Sequence, residues 1–244
     1  MKKILIKLYG ILIFSLILIA GIGLERTGTI NYLSDPYVYP ELTRLLFQHF
    51  YLVIYSMVIA TILGLGIGIL LTRPMFKKFV GMVMYIVGLG QTIPSLAVLA
   101  LVMSVLGIGA KPAIFALIIY SILPIARNTL AGINAVPTST VDAAKGMGMT
   151  SWGILLNVEL PMAMKVILTG FRVALVINIG TTALAYLIGA GGMGDYIFSG
   201  INMMMTEKLL AGAIPVTLMA LLADFMVELL SLLLVSKGLR LTEE

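Results

Sequence analysis

Two groups of residues carry chemistry in a chain that is otherwise mostly hydrocarbon. The first runs Asp142-Ala143-Ala144, three residues, Gly148, nine residues, then Val158-Glu159-Leu160-Pro161. The second is scattered through apolar runs: Gln91, Thr92, Pro94, Asn178, Thr181 and Thr182, with the charged residues Arg172 and Asp224. Bond-breaking is poorly served by either. The chain has one His (His49), no Cys and no His-Glu-x-x-His zinc pattern, which speaks against an intramembrane hydrolase. No catalytic, metal-ligating or cofactor-binding residue is expected. A polar insert punctuated by Gly and Pro suits a surface to be gripped from outside the membrane. Polar side chains within apolar runs suit helix contacts or a solute path, because they are costly in lipid.

The elements that hold these groups follow from composition. With 244 residues, 60% hydrophobic, 11% charged and mean hydropathy +1.10, the chain is no ordinary soluble domain. Several apolar runs reach the roughly 20 residues that a helix needs to cross a hydrocarbon core of about 30 Å. The alternation of a membrane β-barrel is absent, so the fold class is all-α and polytopic, with about six spans. The net charge of +5 sits in short clusters at span ends. Orientation accounts for those clusters better than a nucleic-acid partner does. Without Cys the redox compartment is unreadable.

The first span follows Lys2, Lys3 and Lys7 and reaches about Leu24. A signal peptide competes, but the apolar part is long and Ala20-Gly21-Ile22-Gly23 is a poor cleavage site. A polar, aromatic segment at 31–49 reads as a loop along the outer interface, with His49 interfacial. Span two is expected at about 50–72, stopping at Arg73-Pro74. Span three, about 79–106, is overlong and carries Gly88, Gly90 and Pro94, so it should kink or break. Span four, about 112–130, is short and contains Pro124. Span five runs about 163–188, and a glycine-rich loop at 189–194 leads to span six, which ends near Ser236. Gly64, Gly66 and Gly68 read as small residues for close helix packing.

With the N-terminus in the cytoplasm, Lys2, Lys3, Lys7, Arg73, Lys77, Lys78, Arg127, Lys145, Lys165, Lys237 and Arg240 all fall on the cytoplasmic side. Arg26, Arg44, Lys111 and Lys208 fall outside. This asymmetry predicts an N-in, C-in protein of the cell membrane and puts the insert in the cytoplasm. Within it, Ser139 and Asp142 resemble a capping box for a first short helix. Gly148 suits a left-handed cap. Thr150 or Ser151 caps a second short helix from Trp152 to about Val158, with Trp152, Leu155 and Leu156 on one side, and Pro161 starts the next span. The expected product is a rigid knob with one apolar side, on which Trp152 serves as an anchor.

This segment resembles the EAA loop of ABC-importer permeases: Glu-Ala-Ala, three residues, Gly, nine residues, Ile, any residue, Leu-Pro. Here Asp142 replaces Glu and Val158 replaces Ile, with the spacing intact. The resemblance implies a type I importer fold and a coupling helix that docks in a groove of a separate cytoplasmic ATPase, with Gly148 at the corner and 151–158 as the docking helix. The coupling set is then Asp142, Ala143, Ala144, Gly148, Ser151, Trp152, Leu155, Leu160 and Pro161. ATP and Mg would sit in that partner, and the permease itself would be no enzyme. Also implied are a second permease subunit, the same chain or a related one, and an extracytoplasmic substrate-binding protein.

Further stretches carry the resemblance to the osmoprotectant group, the permeases for glycine betaine, carnitine and choline. They include 90–95, Lys111-Pro112-Ala113, Asn178-Ile179-Gly180-Thr181 and 189–195. Methionine-importer permeases are more remotely similar and usually have one fewer N-terminal span. The chain divides accordingly into 1–49, a permease core at 50–236 containing the loop at 138–161, and a tail at 237–244. Residues 189–194 also have a dinucleotide-loop look, but no strand precedes them and no βαβ unit follows; a turn at an outer gate fits better. Gln91, Thr92, Pro94, Asn178, Thr181 and Thr182 are candidates for the translocation path, with helix tying as the competing role. Arg172 and Asp224 lie at similar depths and are expected to form a structural ion pair, with Glu228 one turn below Asp224. A secondary transporter or channel would need no docking knob, and no inverted repeat is visible.

Overall fold

Two long-range contacts set the topology. The Gly109 amide donates to the Ile188 carbonyl at 2.9 Å, and Arg73 pairs with Glu159 at 2.5 Å. Positions 109 and 188 therefore share one face of the molecule, and 73 and 159 share the other, which carries Lys77, Lys78 and Lys145. In the computed structural model, residues 21, 23 and 25–235 are described. Apart from Gly21 and Gly23, the expected first span lies outside the described residues, as does the tail with Lys237 and Arg240.

The helices in chain order are α1 (Thr29–Leu33), α2 (Val38–Thr72), α3 (Val80–Thr92), α4 (Ser95–Leu106), α5 (Ala110–Asn134), α6 (Thr138–Gly146), α7 (Ser151–Ile154), α8 (Leu160–Thr182), α9 (Gly194–Asn202) and α10 (Thr206–Leu234). A π-helical turn, Leu155–Glu159, joins α7 to α8, and a 3-10 segment, Ala183–Ile188, extends α8. No strand occurs among the described residues. Four helical stretches are long and apolar enough to span a membrane, and the bent pair α3–α4 makes up to five. That pair enters near Arg73 and leaves at Gly109, so it crosses once.

The break between α3 and α4 falls at Ile93-Pro94, with a bend of 97°. Pro94 disfavours helical geometry at the residue before it, and Ile93 is extended, at φ −78° and ψ 132°. Irregular backbone at membrane depth needs partners from protein. The Tyr120 phenol supplies one by donating to the Ile93 carbonyl.

Three boundaries differ from expectation. The segment expected as an interfacial loop is helical from Val38, continuous with the span. Pro40 is tolerated there because it sits in the first turn, where no N–H partner is lost. His49 is correspondingly fully buried rather than interfacial, its Nε2 3.0 Å from the Ile179 carbonyl. α5 runs longer than expected at both ends, despite Pro124.

Glycines bring the helices together. A Cβ at Gly64 would lie 2.8 Å from Ile125 Cβ, and one at Gly68 would lie 2.5 Å from Thr129 Cβ, so α2 and α5 pack backbone to side chain. Gly132 and Gly170 do the same between α5 and α8. Gly66, expected to share this role, has nothing near it. The glycine loop folds onto α2, where the Gly192 amide donates to Gln48 Oε1 at 3.2 Å. Gly189, Gly191 and Gly192 all take positive φ there. Beyond it, Tyr196 donates to Glu41 at 3.2 Å. Burial, with the Glu41 charge beside it, pushes the Tyr196 phenol well above its ordinary range, so it stays a donor.

Candidate functional site

The insert forms a knob on the basic face. Pro137, with φ fixed at −57°, starts α6, and its carbonyl accepts from Thr140 and Val141. The helix ends in a Schellman turn: Gly148 N–H donates to Lys145 O at 2.9 Å and Met149 N–H to Ala144 O at 3.1 Å. Gly148 sits at φ +78°, the left-handed geometry that a side chain at that position would strain. Thr150 then caps α7 by accepting from the Gly153 amide at 3.2 Å.

Three details differ from the sequence reading. No side chain caps α6, so the Ser139–Asp142 capping box does not form. Asp142 pairs instead with Lys145 at 2.9 Å, one turn on. The segment expected as a separate docking helix is the first part of the spanning helix, because α7 continues through the π-helical turn into α8. A wide turn just before Pro161 relieves the clash that its ring would make with a carbonyl four residues back. Leu155 does not share a face with Trp152. It is 4% exposed, in a cluster with Ile133, Ala163 and Ile167.

The apolar surface that the knob offers is a different set. Met147 is 76% exposed, Trp152 71% and Leu156 57%. Asp142, Ala143, Ser151 and Pro161 are also exposed, Leu160 is half-buried, and Ala144 is buried under α6. Beneath them the knob is fixed by Ile154, Leu155 and Ala144 and by the Arg73–Glu159 pair. That pair was not legible in sequence. Its members lie 86 residues apart, and the only signal was that both sit at span ends on one face.

Among the described residues, the scattered polar group does not converge on one cavity. Gln91 donates to the Tyr120 carbonyl at 2.9 Å. Thr92 bonds its own helix, and Pro94 is exposed at the break. Asn178 is fully buried and donates to Ser56 at 3.0 Å and Ser121 at 2.8 Å, which ties α2, α5 and α8 together. Thr182 is buried beside it and donates to the Asn178 carbonyl at 2.7 Å. Thr181 is half-buried. Arg172 meets Asp224 through two nitrogens, and its third reaches Glu228 at 2.6 Å.

Residues 60–234, which hold the knob and four of the crossings, match the family described as binding-protein-dependent transport system inner membrane component. The chain belongs to this family. It is a membrane permease, all-helical and of the ABC-importer kind. Relatives include the osmoprotectant import permease protein OsmY of Salmonella typhimurium, 44% identical over 92% of both chains. Another is the glycine betaine/carnitine/choline transport system permease protein OpuCB of Bacillus subtilis, 41% identical over 79% of this permease and 88% of that one. Among solved structures, the MetNI methionine ABC transporter in an inward-facing conformation matches with TM-score 0.67. It is 25% identical and covers 80% of the permease and 98% of that chain. An amino acid ABC transporter with histidines matches with TM-score 0.67 at 22% identity, a likeness of fold.

Proposed function

We propose that this permease imports osmoprotectants of the glycine betaine, choline and carnitine class, driven by a separate cytoplasmic ATPase that grips the knob. The 44% identity to an osmoprotectant permease across 92% of both chains carries the substrate class. Met147, Trp152 and Leu156 supply the apolar contact for the ATPase groove, and Asp142, Ala143 and Ser151 its polar rim. ATP and Mg belong to that partner, and this chain carries out no bond-breaking. A second permease completes the pathway, and an extracytoplasmic binding protein delivers the solute. ATP must bind one state of the assembly more tightly than the other, since only differential affinity moves the equilibrium between outward- and inward-facing forms.

Two measurements test this. The co-purifying binding protein is screened against glycine betaine, choline, carnitine and methionine. Tight binding of one of the first three supports the class, and methionine binding overturns it. Association with the ATPase is then measured for Gly148→Asp and for the triple variant Met147→Ser, Trp152→Ser and Leu156→Ser. Loss in both is expected, and retention in both overturns the docking reading.

A further inference from the structure

Three helices converge at the basic face, and two of the three contacts between them are tight packings. α2 meets α5 through Gly64 and Gly68, and α5 meets α8 through Gly132 and Gly170. The third contact, between the end of α2 and the start of α8, is of another kind. Leu65 and Ile69 touch the cluster around Leu155, and just beyond them Arg73 reaches Glu159 at 2.5 Å.

Both partners are held in place. The Arg73 side chain is 28% exposed and the Glu159 side chain 13%, so the carboxylate has lost most of its water and depends on Arg73. Arg73 Nε also donates to Thr72 Oγ1 at 3.0 Å, and Thr72 Oγ1 donates in turn to Ile69 O at 2.6 Å, which fixes the guanidinium to the last turn of α2. A cation at a helix C-terminus is favoured there by the helix dipole. Glu159 ends the π-helical turn between knob and span. The pair therefore joins α2 to the π-helical turn between α7 and α8. A π-helical turn is a place where a helix can change register or bend.

We propose that Arg73 and Glu159 are positioning residues that make a push on the knob carry α2 with it. They thereby set how much solute moves for each ATP hydrolysed. The proposal rests on the docking reading above and extends it from the gripped surface to the helix that must move. Without the pair, the π-helical turn yields and the knob moves alone. The ATPase then still binds and turns over, but the pathway responds less.

The test uses the full assembly in proteoliposomes, reading ATP hydrolysis and uptake of radiolabelled glycine betaine together. Arg73→Ala and Glu159→Gln are expected to keep ATPase association while uptake per ATP falls at least about five-fold, the lower end of ordinary coupling free energies. Arg73→Lys and the swap Arg73→Glu with Glu159→Arg are expected to regain most of the ratio. An unchanged ratio in both single variants overturns the proposal, as does a loss that neither Arg73→Lys nor the swap relieves. A second measurement needs no solute. The chain has no Cys, so single cysteines at Met75 and at Ser139, exposed on α6 of the knob and outside the docking contact, take spin labels uniquely within it. In the parent chain the label distance is expected to be the same with and without ATP, and in Glu159→Gln to change on ATP binding. Identical behaviour of the two overturns the proposal. Failure of the parent chain to bind any ATPase overturns the docking reading and this proposal with it.

Discussion

Gln91 donates its side-chain amide to the Tyr120 carbonyl at 2.9 Å, the acceptor that Pro124 leaves empty four residues on. Proline has no N–H, so its presence inside α5 frees that carbonyl within an apolar span. Tyr120 in turn donates its phenol to the Ile93 carbonyl at the α3–α4 break. The broken α3–α4 pair and the continuous α5 satisfy each other's freed carbonyls. Their prolines, Pro94 and Pro124, are read together.

The first prediction follows from this exchange. Gln91→Leu orphans the Tyr120 carbonyl, and an unmet buried acceptor costs about 1–3 kcal/mol. Polar contacts in membranes measure at the lower end, so about 1–2 kcal/mol is expected. Pro124→Ala restores the helix's own donor, so Gln91→Leu on that background should cost little. A double-mutant cycle on thermal unfolding in detergent reads the coupling. Equal costs on both backgrounds would show that the Gln91 bond does not answer to Pro124.

The second prediction contrasts two glycines one turn apart or less. Gly68→Val drives a side chain into Thr129 and the Ala126 carbonyl, separating α2 from α5. Overpacking of this kind costs about 1–3 kcal/mol. Gly66 has open space, so Gly66→Ala is expected to be neutral or to stabilise by up to about 1 kcal/mol through helix propensity. Melting temperatures of the two variants should move in opposite directions or differ by several degrees.

What the sequence made legible follows the reach of local rules. The break at Pro94, the left-handed Gly148 and the Thr150 cap are each dictated within a few residues, and each was readable. The knob's outward face was misjudged at Leu155. The π-helical turn and the cluster around Ile133 and Ala163 decide which way that side chain points, and neither is a local property. His49 and Val38 were misplaced for a related reason: packing against Ile179 and the glycine loop overrides the polar look of that segment. Pairs such as Arg73 with Glu159 require the three-helix arrangement before they can be seen at all.

A third prediction concerns the charges inside the spans. Arg172 holds Asp224 through two hydrogen bonds and Glu228 through one, so two carboxylates share one guanidinium. Charged groups in a span need such partners. Arg172→Ala leaves two like charges facing each other and is expected to cause a several-fold loss of folded protein in the membrane. Glu228→Gln removes the spare negative charge and should be tolerated. The swap Arg172→Asp with Asp224→Arg should recover part of the yield, read as the monodisperse fraction after detergent extraction. No recovery in the swap would mean that the site needs the guanidinium on α8 for more than its charge.

The last prediction separates helix tying from solute contact at Asn178. Its amide donates to Ser56 and Ser121, both fully buried, and it lies beside Thr182 with no exposed surface. Each serine also bonds its own helix, to Leu52 and Leu117, so removing Asn178 leaves neither hydroxyl without a partner. What is lost is the link between three helices. Such links in membranes are worth about 0.6 kcal/mol on average and up to about 1.7, so Asn178→Ala should cost roughly that range. Its effect on uptake should be uniform across solutes, since a tie between helices cannot tell one solute from another. A residue lining the path would instead shift the ratio between glycine betaine, carnitine and choline. Competition uptake in proteoliposomes measures that ratio directly, and a change in it with melting temperature unaltered would move Asn178 from the packing of the permease to its pathway.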